Sequence, residues 1–188
     1  ELADELRRQT AKLEGIQAKL RVFKAMERDY ESYGKSVKTV MQEAQRGSLR
    51  GVHGPVSRLI RVENEYTTAI EIALGAAMQQ IVVDTEAEGK AGIAYLKRTG
   101  AGRATFLPLN VIKGKRLTEN GLENCRGFVG IASDLVRCAD QYRGIVENLL
   151  GRTAIAQDID AAIAMARKYA NRFKIVTLDG QVMNAGGS

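Results

Sequence analysis

Along residues 1 to about 31 the apolar positions recur every seventh place in two interleaved series. Leu6, Leu13 and Leu20 occupy heptad position a, and Leu2, Gln9, Ile16 and Phe23 occupy position d. One narrow seam of this kind predicts an α-helical coiled-coil arm that buries the seam against a second helix. At 1.5 Å per residue such an arm extends about 45 Å. The series fails at the next two places, Glu27 and Tyr30, and Gly34 follows shortly. No later stretch carries a comparable seam, so the partner helix is expected from another chain or from sequence beyond these 188 residues. Lys35 to Arg46 predicts a shorter helix with Val37, Val40, Met41 and Ala44 on one side, and Gly47 and Gly51 punctuate its exit.

Beyond Gly51 short apolar runs alternate with amphipathic helices, and the alternation occurs twice. Leu59 to Gly75, LIRVENEYTTAIEIALG, returns as LVRCADQYRGIVENLLG from Leu135 to Gly151, at a constant offset of 76 with six of 17 positions identical. The identities are Leu59/Leu135, Arg61/Arg137, Tyr66/Tyr142, Glu71/Glu147, Leu74/Leu150 and Gly75/Gly151. Background composition gives roughly one match over such a length, so a duplicated unit is implied. The first copy predicts a strand over Pro55–Val62, a helix over Glu63–Leu74 stopped by Gly75, and a doubly buried strand over Ile81–Asp84. A helix over Glu86–Arg98 follows, then a strand over Ala104–Leu109 whose Pro108 marks an edge or a bulge. Lys113–Gly127 reads as a crossover. The second copy predicts strands over 128–138, Thr153–Ala156 and Phe173–Leu178, with helices over Asp140–Leu150 and Ile159–Ala170. The fold class is α/β (α+β): two pseudo-repeated β-α-β-α-β units packed as like lobes behind a coiled-coil helix.

Charge adds one feature to this picture. Gly51 to Glu88 holds two basic and six acidic residues, and Glu119 to Ser188 holds eight of each. The window between, Gly89 to Thr118, carries Lys90, Lys97, Arg98, Arg103, Lys113, Lys115 and Arg116 with no acid at all. Such a concentration is the footprint of a docked polyanion, or simply a solvated basic face. The 45% hydrophobic and 27% charged fractions belong to a soluble globular chain. No run approaches the roughly 18 apolar residues of a membrane span, and ELADELRRQ lacks a signal-peptide layout, so a cytosolic protein is expected.

Candidate chemistry is thin. Cys125 and Cys138 lack CxxC spacing and a neighbouring histidine, which reads as reduced structural thiols. His53, in GVHGPV, has no patterned nucleophile and is expected to serve packing or backbone contacts. Gly100-Ala-Gly102-Arg precedes its strand, the wrong order for a dinucleotide or phosphate loop, and Gly114-Lys115-Arg116 lacks that loop's other residues. HExxH and GxSxG are absent from the sequence. No catalytic residue, metal site or cofactor is expected in this stretch.

Taken together, GVHGPV, YTTAIEIALG followed by QQIVV, YLKR, GRATFLPLN and FKIVTLDGQVMNAGGS resemble the hinge domain of bacterial SMC chromosome-condensation proteins. The resemblance covers nearly all of Leu49 to Ser188, and the preceding arm matches the coiled coil that leads into such a hinge. It implies a junction of arm and short helix over 1–46, hinge subdomain I over 47–112, a linker over 113–127 and hinge subdomain II over 128–188. It further implies a ring-shaped homodimer in which sheet edges of the two chains pair. Glycines in two closely spaced pairs line that family's dimer interface. Gly186 and Gly187 match the first pair, and the second would follow Ser188. The family's hinges also bind DNA through basic residues near the arms, and Lys97, Arg98 and Lys113 match those positions most nearly. With Arg103, Lys115 and Arg116 of the same acid-free window they form the expected DNA-binding set. ATPase heads joined by a kleisin-type subunit, in a nucleoid-associated cytoplasmic protein, are implied for the full-length chain. The alternative reading is a duplicated α/β enzyme or small-ligand domain, with its ligand between the lobes and the helix as an oligomerisation handle.

Overall fold

The computed structural model describes residues 2–28 and 30–188. Residues 1 and 29, inside the expected arm, lie outside the described residues. The arm is a single helix, α1 (Leu2–Arg28). Its seam is bare: Leu6, Leu13, Ile16, Leu20 and Phe23 are all exposed, Leu6 by 69% and Phe23 by 67%. Among the described residues no helix is long and apolar enough to cross a membrane.

The chain turns at Tyr30, a non-glycine residue at φ +57°. Burial of its ring holds it there, with the Arg58 guanidinium stacked 4.2 Å from the ring centroid. The Tyr33 hydroxyl lies 2.7 Å from Ser57 Oγ, and the Gly34 N–H donates to the Gln79 side-chain oxygen at 3.0 Å. The base of the arm is thus tied into the body by side chains that no heptad pattern announces.

Behind this junction α2 (Lys35–Arg46) buries Val37, Val40 and Met41. The next elements are β1 (Val52–Pro55), a one-turn α3 (Val56–Leu59), β2 (Ile60–Val62) and α4 (Thr67–Leu74). They are followed by β3 (Ile81–Val83), α5 (Glu86–Thr99) and β4 (Phe106–Pro108). Then come β5 (Phe128–Ile131), β6 (Val136–Cys138), α6 (Arg143–Leu150), β7 (Thr153–Ala156), α7 (Ile159–Lys168), β8 (Lys174–Thr177) and β9 (Val182–Met183). Three expectations need correction. The strands expected over Pro55–Val62 and 128–138 are each two short strands divided by one helical turn, Val56–Leu59 and Ala132–Leu135. The helices expected from Glu63 and Asp140 begin with 3-10 turns, Asn64–Tyr66 and Asp140–Tyr142. No strand was expected after Leu178, yet β9 lies there.

The divided strands change sheets. β1, β3 and β4 form one sheet in the order β1-β3-β4, and β5, β7, β8 and β9 form another in the order β5-β7-β8-β9. The second pieces, β2 and β6, leave their sheets and pair antiparallel with each other as a two-stranded ribbon. Each half therefore reaches across to the other. Pro108 sits on edge strand β4, where its missing N–H costs no ladder bond.

Burial explains the apolar runs. In β3 the middle residue Val82 points inward to a central core shared with Ile70, Leu74, Ile145, Val146, Leu150, Ile155 and Val176. Its neighbours Ile81 and Val83 point outward to α2 and α5, with Val40, Met41 and Leu96. In β7 the same period of two sends Ile155 to the centre, and Ala154 and Ala156 to Met165 and Ala166 of α7. The layers run α2 and α5, first sheet, a middle layer of α4, α6 and the ribbon, second sheet, α7.

Candidate functional site

The basic window begins on α5, and this helix is well bounded. Thr85 and Glu88 close a capping box: the Ala87 N–H donates to Thr85 Oγ1 at 3.2 Å and the Thr85 N–H donates to Glu88 Oε2 at 2.9 Å. The Thr85 hydroxyl also donates to Glu88 Oε2, and the two bonds that Glu88 accepts from Thr85, the hydroxyl's foremost, hold its carboxyl below the usual carboxylate range. Gly100, at φ +63°, ends the helix. Lys97 and Arg98 lie in its last turn, where the carbonyl end of the helix favours cations. Lys97, Gly100, Gly102 and Arg103 line an open hollow of about 540 Å3 floored by Leu96 and Ala104. The Arg98 guanidinium lies 5.3 Å from the Tyr95 ring, whose hydroxyl donates to Glu43 of α2 at 3.1 Å. A Cβ at Gly102 would stand 3.8 Å from Ser36 Cβ, so this cluster adjoins the base of the arm.

Lys113, Lys115 and Arg116 stand elsewhere. Strand β4 runs parallel to β3, from Phe106 beside Ile81 to Pro108 beside Val83. It therefore carries the chain from the C-terminal end of α5 back towards its start, where the Asn110 N–H donates to the Asp84 carbonyl at 3.3 Å. With 14 residues α5 is about 20 Å long. The Asn110 contact thus lies about a helix length from Lys97 and Arg98, beyond the Debye length of about 10 Å at 0.1 M salt, and the chain runs on from there to Lys113, Lys115 and Arg116. The second group rests on α6: Asn148 donates to the Lys113 carbonyl at 2.9 Å and the Leu117 N–H to the Gly151 carbonyl at 2.8 Å. Arg116 also has a partner. Both its terminal nitrogens donate to Asp134, which raises its pKa and neutralises its charge locally. All six expected contact residues are exposed. The pairing of Arg116 was invisible in sequence because Asp134 lies 18 residues away.

Gly186 and Gly187 follow β9, the edge of the four-stranded sheet, whose outer side has no strand partner among the described residues. They sit at φ +92° and +95°, and the Gly186 N–H donates to the Asn171 carbonyl at 2.8 Å. Apart from its chain neighbours, nothing among the described residues lies within 4 Å of where a Gly186 Cβ would be. The left-handed backbone calls for glycine here, and the open space leaves room for another backbone.

His53 has a more specific place than a loop. It lies on β1, its Nε2 donating to Asp84 Oδ1 at 2.6 Å and its Nδ1 lying 2.7 Å from the Tyr142 hydroxyl. A carboxylate cannot donate, so in the neutral ring Nδ1 accepts the phenol proton. The Tyr142 pKa is raised, chiefly by burial and then by the Asp84 charge. This chain of three ties β1 to the head of α6. At the counterpart positions of the repeat stand Tyr66 and Val129, so the doubled tyrosine alone gave no sign of it. Among the described residues no group of three His, Cys, Asp or Glu side chains is placed to hold a metal ion.

Known proteins share this fold and part of this sequence. The SMC proteins flexible hinge domain family matches residues 49–166. The chromosome partition protein Smc of Bacillus subtilis is 41% identical over 170 residues, which cover 89% of this chain and 14% of that protein. The chain thus spans about a seventh of the length of the curated relatives it matches. Among solved structures, an asymmetric dimer of the Geobacillus stearothermophilus SMC hinge domain superposes with a TM-score of 0.90 at 41% identity, over 98% of this chain and 76% of that one. The Pyrococcus furiosus Smc hinge domain with an extended coiled coil gives 0.69 at 29% identity, over 99% of this chain and 64% of that one. Residue words, sheet order and bare arm therefore converge on one assignment: the chain belongs to the SMC flexible hinge domain family.

Proposed function

We propose that this chain is the homodimerisation hinge of an SMC chromosome-condensation and segregation protein, and that a basic surface beside its arm holds DNA. The observation that carries the first part is the outer edge of β9, unpaired among the described residues and followed by two glycines at positive φ. An edge strand with unspent N–H and C=O groups is a template for a second chain, and adjacent glycines let that chain approach closely. The related Geobacillus hinge is a dimer. The subdomain division 47–112, 113–127 and 128–188 belongs to this proposal, as do the ATPase heads, a kleisin-type subunit at the heads and nucleoid-associated localisation of the full-length protein. Sedimentation of the native chain at micromolar concentration is expected to give a dimer, weakened by valine at 186 and 187. A persistent monomer overturns the proposal.

DNA contact is proposed first at Lys97 and Arg103, which line one hollow, and at Arg98 beside Lys97 in the last turn of α5; none of the three has an ion pair among the described residues. Lys113 and Lys115 form a second, separate contact, and Arg116 contributes least because Asp134 neutralises it. Such contacts go to phosphates, so binding falls with salt and reads little sequence. In gel shifts of duplex DNA, Lys97→Glu with Arg98→Glu and Arg103→Glu is expected to weaken binding tenfold or more, Lys113→Glu with Lys115→Glu to weaken it less, and Arg116→Gln to change it little. Undiminished binding in the first variant moves the site elsewhere.

A further inference from the structure

The ribbon of β2 and β6 carries an opposition of charge that neither the fold nor the DNA surface uses. Its register places Arg61 directly opposite Arg137. Ile60 and Val136, one position away on the two strands, point into the central core, so the strand alternation turns both arginines outward together. Both are exposed. Directly opposed residues hold their Cβ atoms about 4.5–5.5 Å apart, and like charges placed so destabilise a strand pair. The arginine nevertheless stands at this position in both copies of the repeat.

Over the pair lies a hollow of about 320 Å3 lined by Arg61, Val62, Glu63, Leu135 and Arg137. Glu63 Oε1 is 3.1 Å from an Arg137 terminal nitrogen, so one guanidinium already holds an oxyanion. The counterpart of Glu63 in the second copy is Ala139. Arg61 accordingly forms no ion pair among the described residues, although Glu71 lines the adjoining hollow with it.

We propose that this paired-arginine hollow binds a phosphate group held between the Arg61 and Arg137 guanidiniums. A carboxylate spends its two oxygens on a single guanidinium fork, whereas a tetrahedral phosphate keeps oxygens free for a second fork, and its greater charge offsets both arginines. Glu63 is the internal competitor, holding Arg137 until the phosphate arrives. The phosphate has two possible sources, a free or small-molecule phosphate and a backbone phosphate of nucleic acid, and both present the same chemistry to the site. The hollow is separate from the one beside Lys97 and does not depend on DNA contact there.

The test is thermal unfolding of the whole chain in inorganic phosphate, with chloride and acetate at equal ionic strength as controls. Phosphate is expected to raise the midpoint where chloride and acetate do not, since a ligand bound only to the folded state stabilises it. Arg61→Gln and Arg137→Gln are each expected to weaken apparent phosphate affinity tenfold or more. Glu63→Gln strengthens it, an effect that a merely structural role would not produce. Without phosphate, Arg61→Gln raises the midpoint, because the opposed charges are gone. A midpoint indifferent to phosphate, or a phosphate response equal in native chain and Arg61→Gln, overturns the proposal. Equal stabilisation by acetate overturns it as well and assigns the hollow to carboxylates, such as those of an acidic peptide. In a Lys97→Glu, Arg98→Glu background, further loss of duplex binding on adding Arg61→Gln identifies a backbone phosphate. Unchanged duplex binding, with the native chain stabilised by phosphate and Arg61→Gln not, identifies a free phosphate.

Discussion

Gly75 and Gly151 hold the same place in the repeat, and each must be glycine for a different reason. Gly75 ends α4 at φ +52°, a positive value that favours glycine, with open space where a Cβ would go. Gly151 has an ordinary helical φ of −69°, but a Cβ there would overlap the carbonyl oxygens of Lys115 and Glu147, because the crossover backbone lies directly on it. Conformational strain at an exposed turn costs about 1 kcal/mol, and forced backbone displacement about 2–3 kcal/mol. Urea unfolding is therefore expected to find Gly151→Ala much more harmful than Gly75→Ala. Equal costs would contradict the close approach of residues 113–117 to α6. The identity of both glycines was plain in the repeat. The cause was not, because it depends on a segment that has no counterpart pattern of its own. Arg116 teaches the same lesson: its charge was legible, and its neutralisation by Asp134 arises from folding alone.

Among the elements, helices were the more legible, since a cap and a stop are local. Thr85, Glu88 and Gly100 bound α5 within one residue of the range expected from sequence. The strands were misjudged because PVSRLIRV and its counterpart are as apolar as one strand, and only their docking partners decide that the chain must turn out of one sheet and into the ribbon. Two carboxyls that fasten α5 also give it a pH dependence. Glu88 is held below the usual carboxylate range first by the Thr85 hydroxyl, and Glu43 first by the Ser48 hydroxyl with further help from Tyr95. A carboxyl whose folded-state pKa lies below its unfolded value adds stability that is full above the unfolded pKa and is lost as pH falls through the folded one. Urea midpoints followed from about pH 6 down to about pH 3 are expected to fall more steeply in the native chain than in Glu43→Gln with Glu88→Gln. Parallel acid limbs would contradict these hydrogen bonds.

At the scale of the molecule, duplication predicted two like lobes, while the ribbon and the shared central core make the halves interdependent. Ile70 and Leu74 of the first half pack with Ile145, Val146 and Leu150 of the second, and Lys174 donates to the Ala73 carbonyl at 3.2 Å. The basic window was legible as charge, whereas the parallel path of β4, which carries the chain back along the length of α5 before Lys113, was not. The Tyr30–Gly34 junction, which fastens the arm to Arg58, Ser57 and Gln79, followed no repeating pattern and was not expected. Either the bare seam of α1 or the edge of β9, which has no strand partner among the described residues, could join two chains. Sedimentation equilibrium of three proteins separates them: the native chain, Leu13→Glu with Leu20→Glu on the seam, and Gly186→Val with Gly187→Val beside the edge. If the chain is a hinge joined through its sheet edge, the native and seam variants sediment at about twice the 20.5 kDa chain mass and the glycine variant moves towards monomer. A dimer lost in the seam variant and kept in the glycine variant would contradict that account.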